Sequence, residues 1–185
     1  MLRIRWGAGV LALIVAFGLT AGTRPAQAAS AAEINRDVDK ALKELYAKEP
    51  QAKTLAGRAK AVLVFPSIYK AGFMFGAQYG EGALRKGGKT IGYYNTVAAS
   101  YGLQAGVQKF GYALFFMTDS ALDYLAKSGG FELGTGPSIA VLDTGAATAF
   151  TSTTLQHDMY AIFFDQKGLM AGLGIQGSKI SKVDK

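Results

Sequence analysis

The alternation of apolar and polar residues changes its period near residue 60. Before that point Ile34, Val38, Ala41, Leu42 and Leu45 recur at the spacing of one helical face, with Arg36, Lys40, Lys43 and Glu44 largely elsewhere. Ser30-Ala31-Ala32-Glu33 has the spacing of a capping box, in which the Ser hydroxyl and the Glu carboxylate each satisfy an orphan backbone donor. An amphipathic helix is therefore expected from there until Pro50 stops it, and residues 51–60 are expected to add a short second helix.

From Ala61 onward the pattern is strand-like, in runs cut by glycines. Lys86-Gly87-Gly88-Lys89 reads as a hairpin turn between a strand ending near Leu84 and one starting at Thr90. Residues 101–117 form another long run rich in aromatics. A short helix at 120–127 follows, with Asp119 or Ser120 to cap it and Gly129 to end it. Residues 138–142 and 159–164 read as strands, the latter turning through 165–168 into 169–177. The expected fold is α+β: a strongly curved, mainly antiparallel, glycine-rich and barrel-like sheet with an N-terminal amphipathic helix.

The glycines carry a pattern of their own. Gly72, Gly76 and Gly80 are spaced by four, as in membrane-helix zippers, but only ten uncharged residues lie between Lys70 and Glu81, whereas a spanning helix needs about 20. On a strand the same spacing puts Gly72, Met74, Gly76, Gln78 and Gly80 on one face and Phe73, Phe75, Ala77 and Tyr79 on the other, where they can enter a core. Gly102, Gln104, Gly106 and Gln108 repeat the design opposite Leu103, Ala105 and Val107, as do Gly172, Gly174 and Gln176 opposite Ala171, Leu173 and Ile175. Glycine inside a strand marks a bend or a close approach, so the bare face is expected to receive either a packed helix or a ligand.

The beginning of the chain reads as a secretion signal: Arg3 and Arg5, an apolar stretch over 9–20, and the small-x-small site Ala26-Gln27-Ala28. Residues 1–28 are expected to be a signal peptide and 29–185 one domain, exported to a periplasmic or secreted location, peripheral on a membrane. The leader holds three of the 20 basic residues and no acid, leaving 17 basic against 13 acidic residues and a net charge of about +4. That balance falls short of the dense basic stripe of a nucleic-acid binder. The absence of cysteine excludes disulfides, a lipid anchor at the cleavage site and thiolate chemistry.

Enzymatic motifs fail on context. Gly172-Leu173-Gly174-Ile175-Gln176-Gly177 matches the dinucleotide fingerprint in letters, but eight residues follow it, too few for the helix, strand and acid that the motif serves. Gly88-Lys89-Thr90 resembles the end of a phosphate loop, yet its leading glycine, Gly82, is misplaced by one residue. His157 is the only histidine, and Asp158 beside it would point to the opposite face of a strand. No catalytic, metal or cofactor site is expected.

What remains is cationic. Lys70, Arg85, Lys86 and Lys89 lie around the first hairpin, and Arg58 and Lys60 immediately precede its first strand. They read either as solvated, edge-protecting turns or as a phosphate-facing rim beside an apolar surface.

The chain also resembles the SYLF lipid-binding domain family. The likeness lies in the run from Phe65-Pro66-Ser67 through Gly72-Phe73, in Tyr79-Gly80-Glu81-Gly82, in the 102–108 run, in Gly136-Pro137, and in Lys167-Gly168-Leu169-Met170-Ala171-Gly172 through Gln176-Gly177. The resemblance implies binding of phosphoinositides or other anionic phospholipids and, in eukaryotic members, a link to actin. The expectation is a non-enzymatic lipid-binding domain. In it Lys70, Arg58, Lys60, Arg85, Lys86 and Lys89 meet headgroups, while aromatic side chains or the N-terminal helix reach the acyl boundary. The alternative is a protein-interaction module of the bacterial envelope, with an envelope protein as its partner.

Overall fold

The computed structural model describes residues 28–127, 131–142, 156–167 and 177–185. These hold helices α1 (Ala31–Lys48), α2 (Pro50–Arg58) and α3 (Asp119–Lys127), and strands β1 (Ala61–Lys86), β2 (Lys89–Phe116), β3 (Phe131–Glu132), β4 (Ile139–Leu142), β5 (Met159–Lys167) and β6 (Lys179–Val183). The α+β class and the curved, mainly antiparallel sheet are as the sequence leads one to expect.

The helix starts follow local chemistry. Ser30 caps α1 in the full capping box, its hydroxyl accepting from the Glu33 amide and the Glu33 carboxylate accepting from the Ser30 amide. Hydrogen bonds from the Ser30 amide and hydroxyl hold the Glu33 carboxyl below its ordinary range. Pro50 both ends α1 and opens α2, since the first helical position needs no amide hydrogen. At α3 the cap is Thr118, whose hydroxyl accepts from the Ala121 amide, and not Asp119 or Ser120. Gly129 lies outside the described residues.

The glycines do not cut the strands. β1 and β2 run unbroken for 26 and 28 residues and pair antiparallel throughout, from Ala61 opposite Phe116 to Lys86 opposite Lys89. The runs expected from Thr90 and over 101–117 are thus one strand. Register shifts after Phe65, Gly72 and Leu84 supply the bending that separate strands would otherwise provide. The turn is the expected two-residue loop, with Gly87 and Gly88 at φ 56° and 79°.

On its other edge β2 is shared. Residues Tyr93–Val97 pair with β6, and Lys109–Phe116 pair with β5, both antiparallel. β4 joins β5 in parallel and β3 joins β6, giving the order β3-β6-β2-β5-β4 with β1 on the opposite edge of β2. β3 and β6 carry no pattern strong enough to read from sequence. β6 begins two residues after Gly177, so a strand stands where a nucleotide fold would place its helix. The proposed turn over 165–168 lies partly inside β5, where Asp165 takes φ 49°; the run 168–176 lies outside the described residues.

Two clusters sandwich the sheet. Leu63, Phe65, Tyr112, Leu114, Phe116, Met159, Ala161 and Phe163 point inward with Leu125 of α3. Their neighbours Val62, Val64, Ala113, Phe115, Tyr160 and Ile162 point outward under Ile34, Val38, Ala41 and Leu45 of α1 and Leu55 of α2. Burial on both faces explains why these segments read as continuous apolar runs instead of alternating ones.

The assignment of the two hairpin faces is corrected. Gln78 and Gly80 are buried on the inner face, whereas Ala77 and Tyr79, expected to enter a core, are exposed outside. What the bare face receives at Gly80 and Gly82 is neither helix nor ligand but the first half of the same strand. A Cβ on Gly80 would stand 2.6 Å from Ile68 Cγ1 and 2.9 Å from the Ser67 carbonyl oxygen, and one on Gly82 would overlap the Val64 carbonyl oxygen. β1 crosses over itself there, and only glycine permits that separation.

Candidate functional site

The turn Lys86–Lys89 folds back over the helices. Gly87 and Gly88 line a cavity of about 290 Å³ together with Lys60, Asp39, Leu42 and Tyr46, so Lys60 and the turn share one depression. Lys86 and Lys89, which flank those two glycines in the chain, are exposed, as is Arg58, next in sequence to the lining residue Ala59. The fold therefore gathers these basic residues of α2, the α2–β1 link and the hairpin turn in one region. Lys60 is also 3.2 Å from the exposed Asp119 carboxylate.

Two of the predicted cations are placed differently. Arg85 is 12% exposed in its side chain; its guanidinium donates to Asp39 at 2.6 Å and to the Asn35 carbonyl at 3.2 Å. It fastens α1 to the hairpin, and its Nε is buried without a hydrogen-bond partner. Asn35 adds to the same joint by donating to the Tyr93 hydroxyl and accepting from Thr90. Lys70 sits midway along β1 opposite Gln108, on the inner-face parity, and is not among the residues lining the turn cavity.

The outer face of the hairpin's middle carries the feature that sequence reasoning missed. Tyr79 pairs with Val97, Ala77 with Ala99 and Ala71 with Val107, and all six side chains are exposed. Val107 is 71% exposed and Tyr69, the next outward residue, 55%. This strip lies between two stretches of outer face that α1 and α2 cover, the Val62–Val64 end and Ala83 with Tyr93. Alternation of small and apolar residues signalled a strand face; which face the helices would leave bare was not encoded locally.

A cation borders the strip. Lys109 sits over the Tyr69 ring, 5.5 Å from its centroid. It also joins two open grooves, one of about 580 Å³ running past Tyr69, Tyr79 and Ala29, the other of about 350 Å³ containing Lys40 and Lys167. Asp37, Glu44 and Asp165 line the second groove, so its charge is mixed.

The carboxylate beside His157 is tied into the fold. Asp158 accepts from the amide and hydroxyl of Ser138 at 2.9 and 2.8 Å and from Thr118 at 3.2 Å, which holds its carboxyl below the ordinary range. The Ser138 hydroxyl thus meets a carboxylate, not an imidazole, while the His157 ring stands edge-on to Tyr160 at 5.8 Å. Among the described residues no group of three His, Asp or Glu could hold a metal ion, and no helix is long and apolar enough to cross a membrane.

Residues 97–185 match the family model described as Ysc84, Las17-binding protein actin regulator, the same SYLF family that the motifs resemble. The match takes in β2 from Val97 onward and every later described element, and leaves α1, α2 and β1 outside. A comparison with curated proteins found no match.

Proposed function

We propose that this chain, with a Ysc84 (SYLF) match over residues 97–185 as the starting point, is a non-enzymatic module that docks peripherally on anionic phospholipid membranes. SYLF domains are binding modules associated with actin and lipids. The observation that carries the reading is the exposed strip of Tyr69, Ala71, Val107, Ala77, Ala99, Tyr79 and Val97, bordered by Lys109. An apolar surface with an ammonium group at its edge suits the boundary between acyl chains and phosphates.

In this mechanism the strip enters the acyl boundary while Lys109 reaches headgroup phosphates. Lys86, Lys89, Lys60 and Arg58 form a second basic region. Each lysine or arginine near an anionic surface adds roughly 1 kcal/mol, an attraction that salt screens. Arg85 serves the fold instead, and the apolar face of α1 is already committed to the sheet. In an exported chain the surface met is that of the bacterial envelope.

The family description names a protein partner, which gives the second reading: the strip as a docking face for an envelope protein. Co-sedimentation of residues 29–185 with anionic and zwitterionic liposomes separates the two. Salt-sensitive binding to anionic liposomes, lost in Val107→Asp and weakened in Lys86→Glu/Lys89→Glu, is the expected result. Absence of binding to either liposome, or binding indifferent to both variants, sinks the membrane reading and leaves protein docking.

A further inference from the structure

Glu81 is the meeting point of three chain segments. It lies on the outer face of β1, and its side chain and that of Lys185 are each 10% exposed. Oε1 accepts from the Lys185 ammonium at 2.8 Å and from the Tyr79 hydroxyl at 3.1 Å, and Oε2 accepts from the Ala29 backbone nitrogen at 2.9 Å. The Lys185 ammonium also donates to the Ala29 carbonyl at 2.8 Å. Both backbone polar groups of Ala29 are therefore held, one residue before the cap of α1.

Ala29 directly follows Ala26-Gln27-Ala28, the small-x-small sequence at the end of the expected leader. Hydrolysis of the Ala28–Ala29 bond adds water across it: the carboxylate leaves with the leader, and the Ala29 nitrogen becomes an α-ammonium. We propose that Glu81 is the seat for that α-ammonium, so that processing converts an amide hydrogen bond into an ion pair that pins the start of α1.

The placement fits this role in two ways. The carboxylate already has a donor from Ala29 within hydrogen-bonding distance, so no rearrangement is needed to receive the charge. It is also shielded from solvent, where an ion pair with hydrogen bonds on both oxygens is stronger than on an open surface. Lys185 bridges Glu81 and the Ala29 carbonyl, closing a clasp between the first and last described segments.

The test is to express the full chain in an exporting bacterial host and read the N-terminus of the exported protein by intact mass. Thermal melts then compare that protein with a variant carrying one Gly inserted before Ala29, each with and without Glu81→Gln. The native product is expected to begin at Ala29. The insertion, which moves the ammonium off its seat, is expected to lower Tm by about 2–4 °C, and E81Q to abolish the difference. Acylation of the α-amine, followed on the native fold, should be slower in the native protein than in E81Q, a readout that needs no insertion. A terminus elsewhere overturns the processing site; a terminus at Ala29 with equal acylation rates, or an insertion effect that survives E81Q, overturns the seat.

Discussion

Tyr112 donates its phenolic hydroxyl to the Thr96 hydroxyl at 3.0 Å, although both belong to the same unbroken strand and lie 16 residues apart. Straight β structure would separate them by about 50 Å. The contact measures how far β2 coils, and it closes the inner core with a polar tie, since both residues are wholly buried. Burial pushes the Tyr112 phenol far above its ordinary value, against the lesser effect of the Thr96 hydrogen bond.

Tyr112→Phe should lower stability by about 1–3 kcal/mol, because the Thr96 hydroxyl loses its partner in a site closed to water. Tyr112→Phe combined with Thr96→Val should recover most of that loss, since both polar groups are then gone with little change of shape. Urea melts of the single and double variants check the cycle.

Two glycine substitutions should have opposite signs. Gly82→Ala drives a methyl into the Val64 carbonyl and to 2.8 Å from Phe65 Cδ1, where β1 crosses itself, and should cost about 1–3 kcal/mol or more. Gly57→Ala, inside α2 with open space at its Cβ position, should stabilise by about 0.5–1 kcal/mol. Thermal denaturation of both reads the difference directly.

Arg85→Ala should cost stability while leaving the basic turn intact. Its guanidinium binds Asp39 and the Asn35 carbonyl, and the loss is set at about 1–2 kcal/mol because the Asp39 side chain is largely exposed. Lys86→Glu/Lys89→Glu should leave Tm nearly unchanged. Melting curves run beside liposome binding show whether the two variants separate fold from surface in this way.

The Glu81 clasp should weaken in acid. Burial alone would raise the Glu81 carboxyl, but hydrogen bonds from Lys185, the Ala29 amide and Tyr79, with the Lys185 charge, bring it below its ordinary value of 4.5. A lowered folded-state value means that its contribution is complete above 4.5 and disappears as pH falls below it. Native protein should therefore lose stability as pH falls below about 4.5 more steeply than Glu81→Gln, a difference that a pH series of thermal melts reads.

Much of the architecture was legible because its signals are local. The capping box at Ser30, the stripe from Ile34 to Leu45, the stop at Pro50 and the paired glycines at 87 and 88 depend on residues within a few positions of one another. β6 and β3 were not legible: their pairing with Tyr93–Val97 and Ile180 is a long-range choice made by the curled sheet.

The basic rim was only partly legible. Charge at Lys86 and Lys89 is visible in a turn, but the diversion of Arg85 to Asp39 on α1, 46 residues away, is a tertiary event. The same holds for Lys109 beside Tyr69 and for the bare strip along Val107 and Val97.

The sequence by itself determined the helices, the first hairpin with its curvature-permitting glycines and the resemblance to SYLF domains. Only the tertiary structure decided which face those glycines occupy, because a period of two marks alternation without saying which side is inside. Crossing β1 over itself at Gly80 and Gly82 turned the bare face inward, and the finite width of α1 and α2 left Tyr69, Tyr79 and Val107 uncovered outside.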